Sequence, residues 1–430
     1  MMVRKHLSGQ GLFDTVYRCF QKVKDPLRKG RKNMTIIDYM MSALAIFSLK
    51  FPSLLQYDEQ RHNPNVSENF KNLFHVQTPP SDTAVREVLD HVDPASIRPA
   101  FKKLFALLQR GKALEPYQIL NGHYLISVDG TGFFSSSKVK CENCCVKTDR
   151  QGKTTYYHQL LGAAVVHPDH KVVVPLCPEM IQKQDGSKKN DCERNAAKRF
   201  LENLRREHPH LKAIIVEDAL AANAPHINHL ETFDFKYIIG VKPGDHEYLF
   251  DWFNNGNYQT FEYTTTEGVE HRFHYLNDLP LNEANKDKKV NFIEYWEKPP
   301  KGKAKHFSWI TNIEVTQSNI TEIMKGARAR WRIDNETFNT LKNQGYNFEH
   351  NYGHGYKHLS HNFSQLMMLA FLIDQSQLLC CRAYQAARSQ ASTFRALWES
   401  MRVFFLHIPI ASWTELFQII SLRSIPPPKT

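Results

Sequence analysis

The chain has 430 residues, 42% apolar and 23% charged, with 55 Lys+Arg against 44 Asp+Glu for a formal charge of +11. These values exclude fibrous and low-complexity chains and describe a globular one long enough for two to four structural units. The basic balance favours polyanionic partners, and residues 1–115, with 18 Lys+Arg against 11 Asp+Glu, hold much of the excess.

No apolar stretch follows Arg4 and Lys5, and the longest apolar run, Leu366 to Ile373, is too short to cross a bilayer. No membrane association is expected. Eight cysteines, with adjacent pairs Cys144-Cys145 and Cys380-Cys381, then read as reduced thiols in a cytoplasm.

Residues 1–118 read as a helical, basic, DNA-binding region. Its densest cationic run is Lys22, Lys24, Arg28, Lys29, Arg31 and Lys32, either a solvated loop or a set of phosphate contacts. The apolar run Ile36 to Phe47 predicts a buried helix. Ser81 to Leu89 begins another after Pro79-Pro80, and Phe101, Leu104, Phe105 and Leu108 form a helical stripe. Pro116 and Gly122 bracket a change of period.

Strands are predicted over His123–Phe134, Thr154–Val166 and Lys171–Leu176, the last two separated by the turn His167-Pro-Asp-His170. These three form an antiparallel meander. A helix follows over residues 189–204, then a strand at Ala213–Val216, a helix at Pro225–Leu230 and a strand at Phe235–Val241. That order predicts an α/β fold, a ribonuclease H-like mixed sheet with helices on its faces, built from residues 119–242 and 317–357. Residues 243–316 read as a β-rich insertion, with strand-like Tyr258–Thr265 and Val290–Trp296. Residues 358–430 return to helices.

Three acids stand where phosphodiester chemistry needs them. Asp129 ends the apolar part of the first strand just before Gly130 and Gly132, which let a backbone or phosphate come close. Asp218 follows Ala213-Ile-Ile-Val-Glu217 at the carboxyl end of a central strand, where open α/β sheets place ligands. Its bland alternative is a helix N-cap. Glu217 competes with it, since neighbouring side chains face opposite ways. Glu336 lies on a helix-like segment four residues after Arg332, a spacing that also makes an ordinary surface ion pair. Carboxylates so placed can hold two divalent metals, Mg²⁺ or Mn²⁺, that activate an oxygen nucleophile and stabilise the leaving oxygen. Asp191 and Glu193 are assigned to helix capping, with Asn190 and Glu193 resembling a capping box. Asp334 sits two positions from Glu336, on a different helical face.

Cys141, Cys144 and Cys145, with His158 downstream, form either a zinc site or reduced thiols at a hairpin tip. His350, His354, His358 and His361 surround Gly353 and Gly355. They read as a glycine-permitted turn near the active site touching phosphates rather than as metal ligands.

The stretches Ser127-Val-Asp-Gly-Thr131, Val216–Pro225, Arg332-Ile-Asp-Asn-Glu336 and Gly345–His350 with Gly353-His-Gly355 resemble the DDE-type transposases of bacterial insertion sequences. The likeness is to the cut-and-paste group with a β-rich insertion before the catalytic glutamate, and it covers roughly residues 75 to 375. It implies a Mg²⁺-dependent enzyme, with Asp129, Asp218 and Glu336 as metal-binding catalytic residues. Such an enzyme binds element ends in double-stranded DNA, cleaves them and joins the 3′ ends to target DNA, as a homodimer. That group's glutamate motif is Tyr, two residues, Arg, three residues, Glu, six residues, Lys. Here Arg332 and Glu336 fit, Ala329 stands at the Tyr position, and Lys342 falls one residue early. Arg332, Lys342 and His354 are the DNA contacts expected near the site. A nuclease without strand transfer, or a non-catalytic DNA-binding relative, would share these residues.

Overall fold

The structure, a computed structural model, describes residues 6–26, 34–182 and 192–422. Lys22 and Lys24 are exposed at the end of the first helical stretch, whereas Arg28, Lys29, Arg31 and Lys32 lie outside the described residues, as do Asn190 and Asp191.

One mixed sheet organises the chain. Its strands are β1 (Gln118–Ile119), β2 (His123–Ser136), β3 (Cys145–Thr148), β4 (Thr154–Val166), β5 (Val174–Pro175), β6 (Glu179–Ile181), β7 (Ala213–Glu217), β8 (Lys236–Gly240), β9 (Gln259–Thr264), β10 (Glu270–Asn282), β11 (Asn285–Lys298) and β12 (Lys305–Thr311). They run in the order β3-β4-β2-β7-β8-β12-β11-β10-β9, with β1 beside β2 and both β5 and β6 beside β4. At the centre, β2 pairs parallel with β7 and β7 parallel with β8, while β4 lies antiparallel on the other side of β2. This is the ribonuclease H-like arrangement. Every residue of β7 is buried, as a parallel strand covered on both faces requires.

Of the expected third strand, Lys171–Leu176, only Val174–Pro175 is strand, and a further short strand, β6, follows it. Pro175 and Pro178 supply no N–H to the ladder, so β5 and β6 each pair briefly with β4 around Leu176-Cys-Pro178. The β-rich insertion carries a helix, Glu247–Asn254, and extends the same sheet: β12 pairs antiparallel with β8, Ile310 opposite Ile239. Rings of Phe273, Tyr295 and Phe307 stack across it with successive centroids 4.7 and 6.0 Å apart, the cross-strand pairing that stabilises sheets, and Trp309 stacks on Phe307 along β12 at 5.6 Å.

Helices from the two ends of the chain share one core. Asn69 donates from Nδ2 to the carbonyls of Phe405 and Ile408 at 2.8 and 2.7 Å, and the Phe13 ring stacks on Trp413 at 4.4 Å. The helix Leu359–Cys380 is long and apolar enough to cross a membrane, but 78% of its apolar window is buried inside the protein. The Asp90 carboxylate fixes its start, accepting from the backbone N–H groups of Tyr356, Lys357, His358 and Leu359 at 2.9–3.0 Å. Those four donors hold the Asp90 carboxyl below its ordinary value despite burial, and the carboxylate in turn satisfies the amides of the entering loop, the N-cap and the first helical residue.

Candidate active site

Alternation along β2 sets the geometry. Ser127 and Asp129 share one face, and the Ser127 hydroxyl donates to the Arg330 carbonyl at 3.0 Å, tying the segment after helix Ile320–Arg328 to that face. Gly162, opposite Asp129 on β4, makes room for Phe338: a methyl group there would sit 2.6 Å from the ring. Between these two anchors lies a π-helical turn, Ile333–Phe338, that carries both Asp334 and Glu336. Such turns concentrate at functional sites because they re-aim side chains. On the opposite face, Gly130 admits Glu193, whose carboxylate would be 2.2 Å from an added methyl.

Asp129 is partly buried, accepts from the Gly130 N–H at 2.8 Å and pairs with Arg330 Nη1 at 3.0 Å. Burial, reinforced by Asp334 and Asp218 and opposed by Arg330, pushes its carboxyl up to about 6. Asp218 is exposed at the end of β7, and one of its oxygens accepts from Leu220 N at 2.9 Å. The capping alternative is therefore realised with one oxygen. Glu217 turns inward and binds His226 Nε2 at 2.6 Å; it is satisfied in the core. Glu193 opens helix Glu193–Glu207, whose N-cap is Cys192. Its carboxyl is raised by burial and by Asp218, so it belongs with the acids rather than with capping alone. Asp129, Asp218 and Glu193 line one small cavity of about 40 Å³.

The helical acids divide. Asp334 lies 3.5 Å from the same Arg330 nitrogen that binds Asp129. Glu336 pairs with Arg332 at 3.2 Å and lines a different cavity of about 130 Å³, with Lys171, Thr340 and Asp374. The spacing Arg, three residues, acid occurs twice, at Arg332/Glu336 and two residues earlier at Arg330/Asp334; the second reading was available in the sequence. Arg332 also donates to the Pro168 carbonyl at 2.7 Å.

A large cleft of about 860 Å³ adjoins this turn between the insertion and helix Ile320–Arg328, lined by Lys325, Arg328, Arg332, the exposed Trp331 and Tyr263. Lys342 is partly buried and paired with Glu349 at 3.0 Å. His354, expected at phosphates, is buried against Cys144 with Nε2 3.2 Å from Sγ. Cys145 turns away from the other cysteines to the Ile181 carbonyl.

Residues 121–373 match the transposase DDE domain. The chain belongs to that family. The matched span holds β2, β7, the π-helical turn and the whole insertion of this transposase. A comparison with curated proteins gives no match. Divalent metals and DNA are thereby the general chemistry and substrate of the transposase's family.

Proposed function

We propose that this transposase binds the ends of its element in double-stranded DNA, cleaves phosphodiester bonds there and joins the 3′ ends to target DNA. The crowding at Asp129 carries the reading. A carboxyl raised to about 6 by burial and by two neighbouring acids, against the opposition of one arginine and the Gly130 N–H, is a centre of excess negative charge. A divalent cation relieves that excess. Hard oxygen donors suit Mg²⁺ or Mn²⁺.

Asp129, Asp218 and a third carboxylate would hold the metal, which supplies activation of the attacking oxygen and neutralisation at the leaving one. For the third carboxylate, Asp334 is supported over Glu336, because it shares a guanidinium with Asp129 while Glu336 opens on another cavity. Arg330 positions both aspartates. Lys325, Arg328 and Arg332 line the cleft beside them and would bind the phosphate backbone, Arg332 by its planar fork. Lys22 and Lys24 add exposed charge at a distance in sequence. Two ends must be held together for joining, so the working form is a homodimer on DNA.

The test is incubation with Mg²⁺ and linear DNA bearing the repeats that flank the gene. Cleaved and joined products, both lost in Asp129→Asn, support the reading. Cleavage without joined product supports a nuclease, and binding without cleavage a non-catalytic DNA-binding relative.

A further inference from the structure

Beyond the carboxylate site, four metal-ligating side chains converge that DNA cleavage does not use. Cys141 and Cys144 come from the loop between β2 and β3, His158 from β4, and His354 from the loop leading to helix Leu359–Cys380. Their ligand atoms all lie within 4.8 Å of one another. Sγ of Cys141 is 3.8 Å from Sγ of Cys144 and 3.4 Å from His158 Nε2. Sγ of Cys144 is 3.5 Å from His158 Nε2 and 3.2 Å from His354 Nε2.

We propose that these four residues form a structural Cys₂His₂ zinc site that fastens the β2–β4 hairpin to the loop following the catalytic turn. The distances support it. A tetrahedral ion with zinc–sulfur bonds near 2.3 Å and zinc–nitrogen bonds near 2.0–2.1 Å sets its sulfurs about 3.8 Å apart and sulfur and nitrogen about 3.6 Å apart. A disulfide would need its sulfurs at about 2.05 Å.

The surroundings are built to hold such a site. Cys141 and Cys144 close a turn in which Cys144 N donates to the Cys141 carbonyl at 3.3 Å and Cys141 N to Cys144 Sγ at 3.4 Å. His354 stands between Gly353 and Gly355, whose φ of +133° and +67° let the backbone turn its imidazole inward. Cys144, His158 and His354 are buried, with Phe133 and Phe134 packed against the imidazoles. The two loops also join through Glu142 N to the Tyr356 carbonyl and Asn143 Nδ2 to the Lys357 carbonyl, at 3.2 and 2.5 Å.

This site is distinct from the catalytic one. His158 pairs with Phe134, five positions along β2 from Asp129, which is roughly 17 Å at the rise of a strand. Thiolate and imidazole donors select zinc, whereas the carboxylates select Mg²⁺. The ligand set also departs from the sequence expectation: His354 takes the fourth place and Cys145 none.

Elemental analysis of the full-length protein, purified without chelator or added metal, should find about one zinc per chain. Cobalt exchange should give a thiolate-to-cobalt charge-transfer band with intense tetrahedral visible absorption. Cys144→Ser and His354→Ala should lose the ion, while Cys145→Ser and Asp129→Asn keep it. The proposal is overturned if the folded wild type contains no zinc and, after chelation, takes up none in competition with a chromophoric chelator. It is equally overturned if Cys145→Ser loses as much zinc as Cys144→Ser, or if Asp129→Asn abolishes binding. If Cys144→Ser does not fold, the cobalt spectrum of the wild type decides. None of these readouts depends on DNA cleavage.

Discussion

Arg330 donates through one guanidinium nitrogen to Asp129 at 3.0 Å, and the same nitrogen lies 3.5 Å from Asp334. The oxygens of the two aspartates therefore cannot be further apart than those two distances combined. This links β2 to the π-helical turn across some two hundred residues. It places Asp334, not Glu336, on the Asp129 side of that turn.

The consequence for activity is asymmetric. Asp129→Asn and Asp334→Asn should each reduce DNA cleavage by on the order of 10²–10³-fold or more, the scale of losing a group that stabilises transition-state charge. Glu336→Gln should cost less than tenfold. Single-turnover cleavage of an end-repeat duplex, with circular dichroism to confirm folding, measures all three. Full activity in Asp334→Asn with none in Glu336→Gln would return the third role to Glu336.

The raised Asp129 carboxyl gives the pH dependence a definite sign. Its native value of about 6 stands above the ordinary 3.8, so the native state binds more protons than the unfolded state between about pH 4 and 6. Metal-free stability contributed by this group therefore falls as pH rises through that window. Mg²⁺ binding needs the ionised form, so added Mg²⁺ should raise the melting temperature at pH 7.5 and do little at pH 5. Cleavage should decline below about pH 6. Asp129→Asn should melt higher than wild type at pH 7.5 without metal and gain nothing from Mg²⁺. A Mg²⁺ effect of equal size at both pH values would sink this account.

The central strands were legible because burial writes itself into composition: Ala213-Ile-Ile-Val216 has no polar side chain to offer solvent and can only be interior. The acids at strand ends followed from the same pattern. The divergence of Asp334 towards Arg330 and of Glu336 towards another cavity did not, since helical face arguments assume 3.6 residues per turn and the turn carrying both is π-helical. His354 was likewise hidden. The Cys144 thiol and His158 imidazole that it packs against lie about two hundred residues earlier, and nothing in local spacing announces a contact made only when β4 and the loop before Leu359 meet. The shortness of the third strand was signalled by Pro175, and the gap before β6 by Pro178, since neither residue has an N–H to offer the ladder.

The turn's anchoring can be tested apart from chemistry. Gly162→Ala places a methyl group 2.6 Å from Cε1 of Phe338, and overpacking of this kind costs about 1–3 kcal/mol. Because Phe338 closes the turn bearing Asp334, cleavage should fall as well. Combining Gly162→Ala with Phe338→Leu should recover part of the lost stability in urea unfolding. Additive losses would show that the two residues do not press on each other.

The helical core offers the largest expected energetic effect. Lys50 and Asp374, both almost wholly buried, form an ion pair joining the turn after helix Ile36–Ser48 to helix Leu359–Cys380, and the Tyr346 hydroxyl donates to the same carboxylate. The Lys50 ammonium sits 4.5 Å from the ring centroids of both Tyr346 and Trp398. Burial lowers the lysine and raises the aspartate, each opposed by its partner. Removing one partner leaves the other charge desolvated and unpaired. Lys50→Met or Asp374→Leu alone should therefore cost about 3–5 kcal/mol. The double variant Lys50→Met/Asp374→Leu should cost less than either single change, because the desolvation penalty disappears with both charges. Urea midpoints at a constant slope give the comparison directly. A double variant as unstable as the two single losses combined would mean that the pair's worth lies in its packing against Tyr346 and Trp398 rather than in mutual neutralisation.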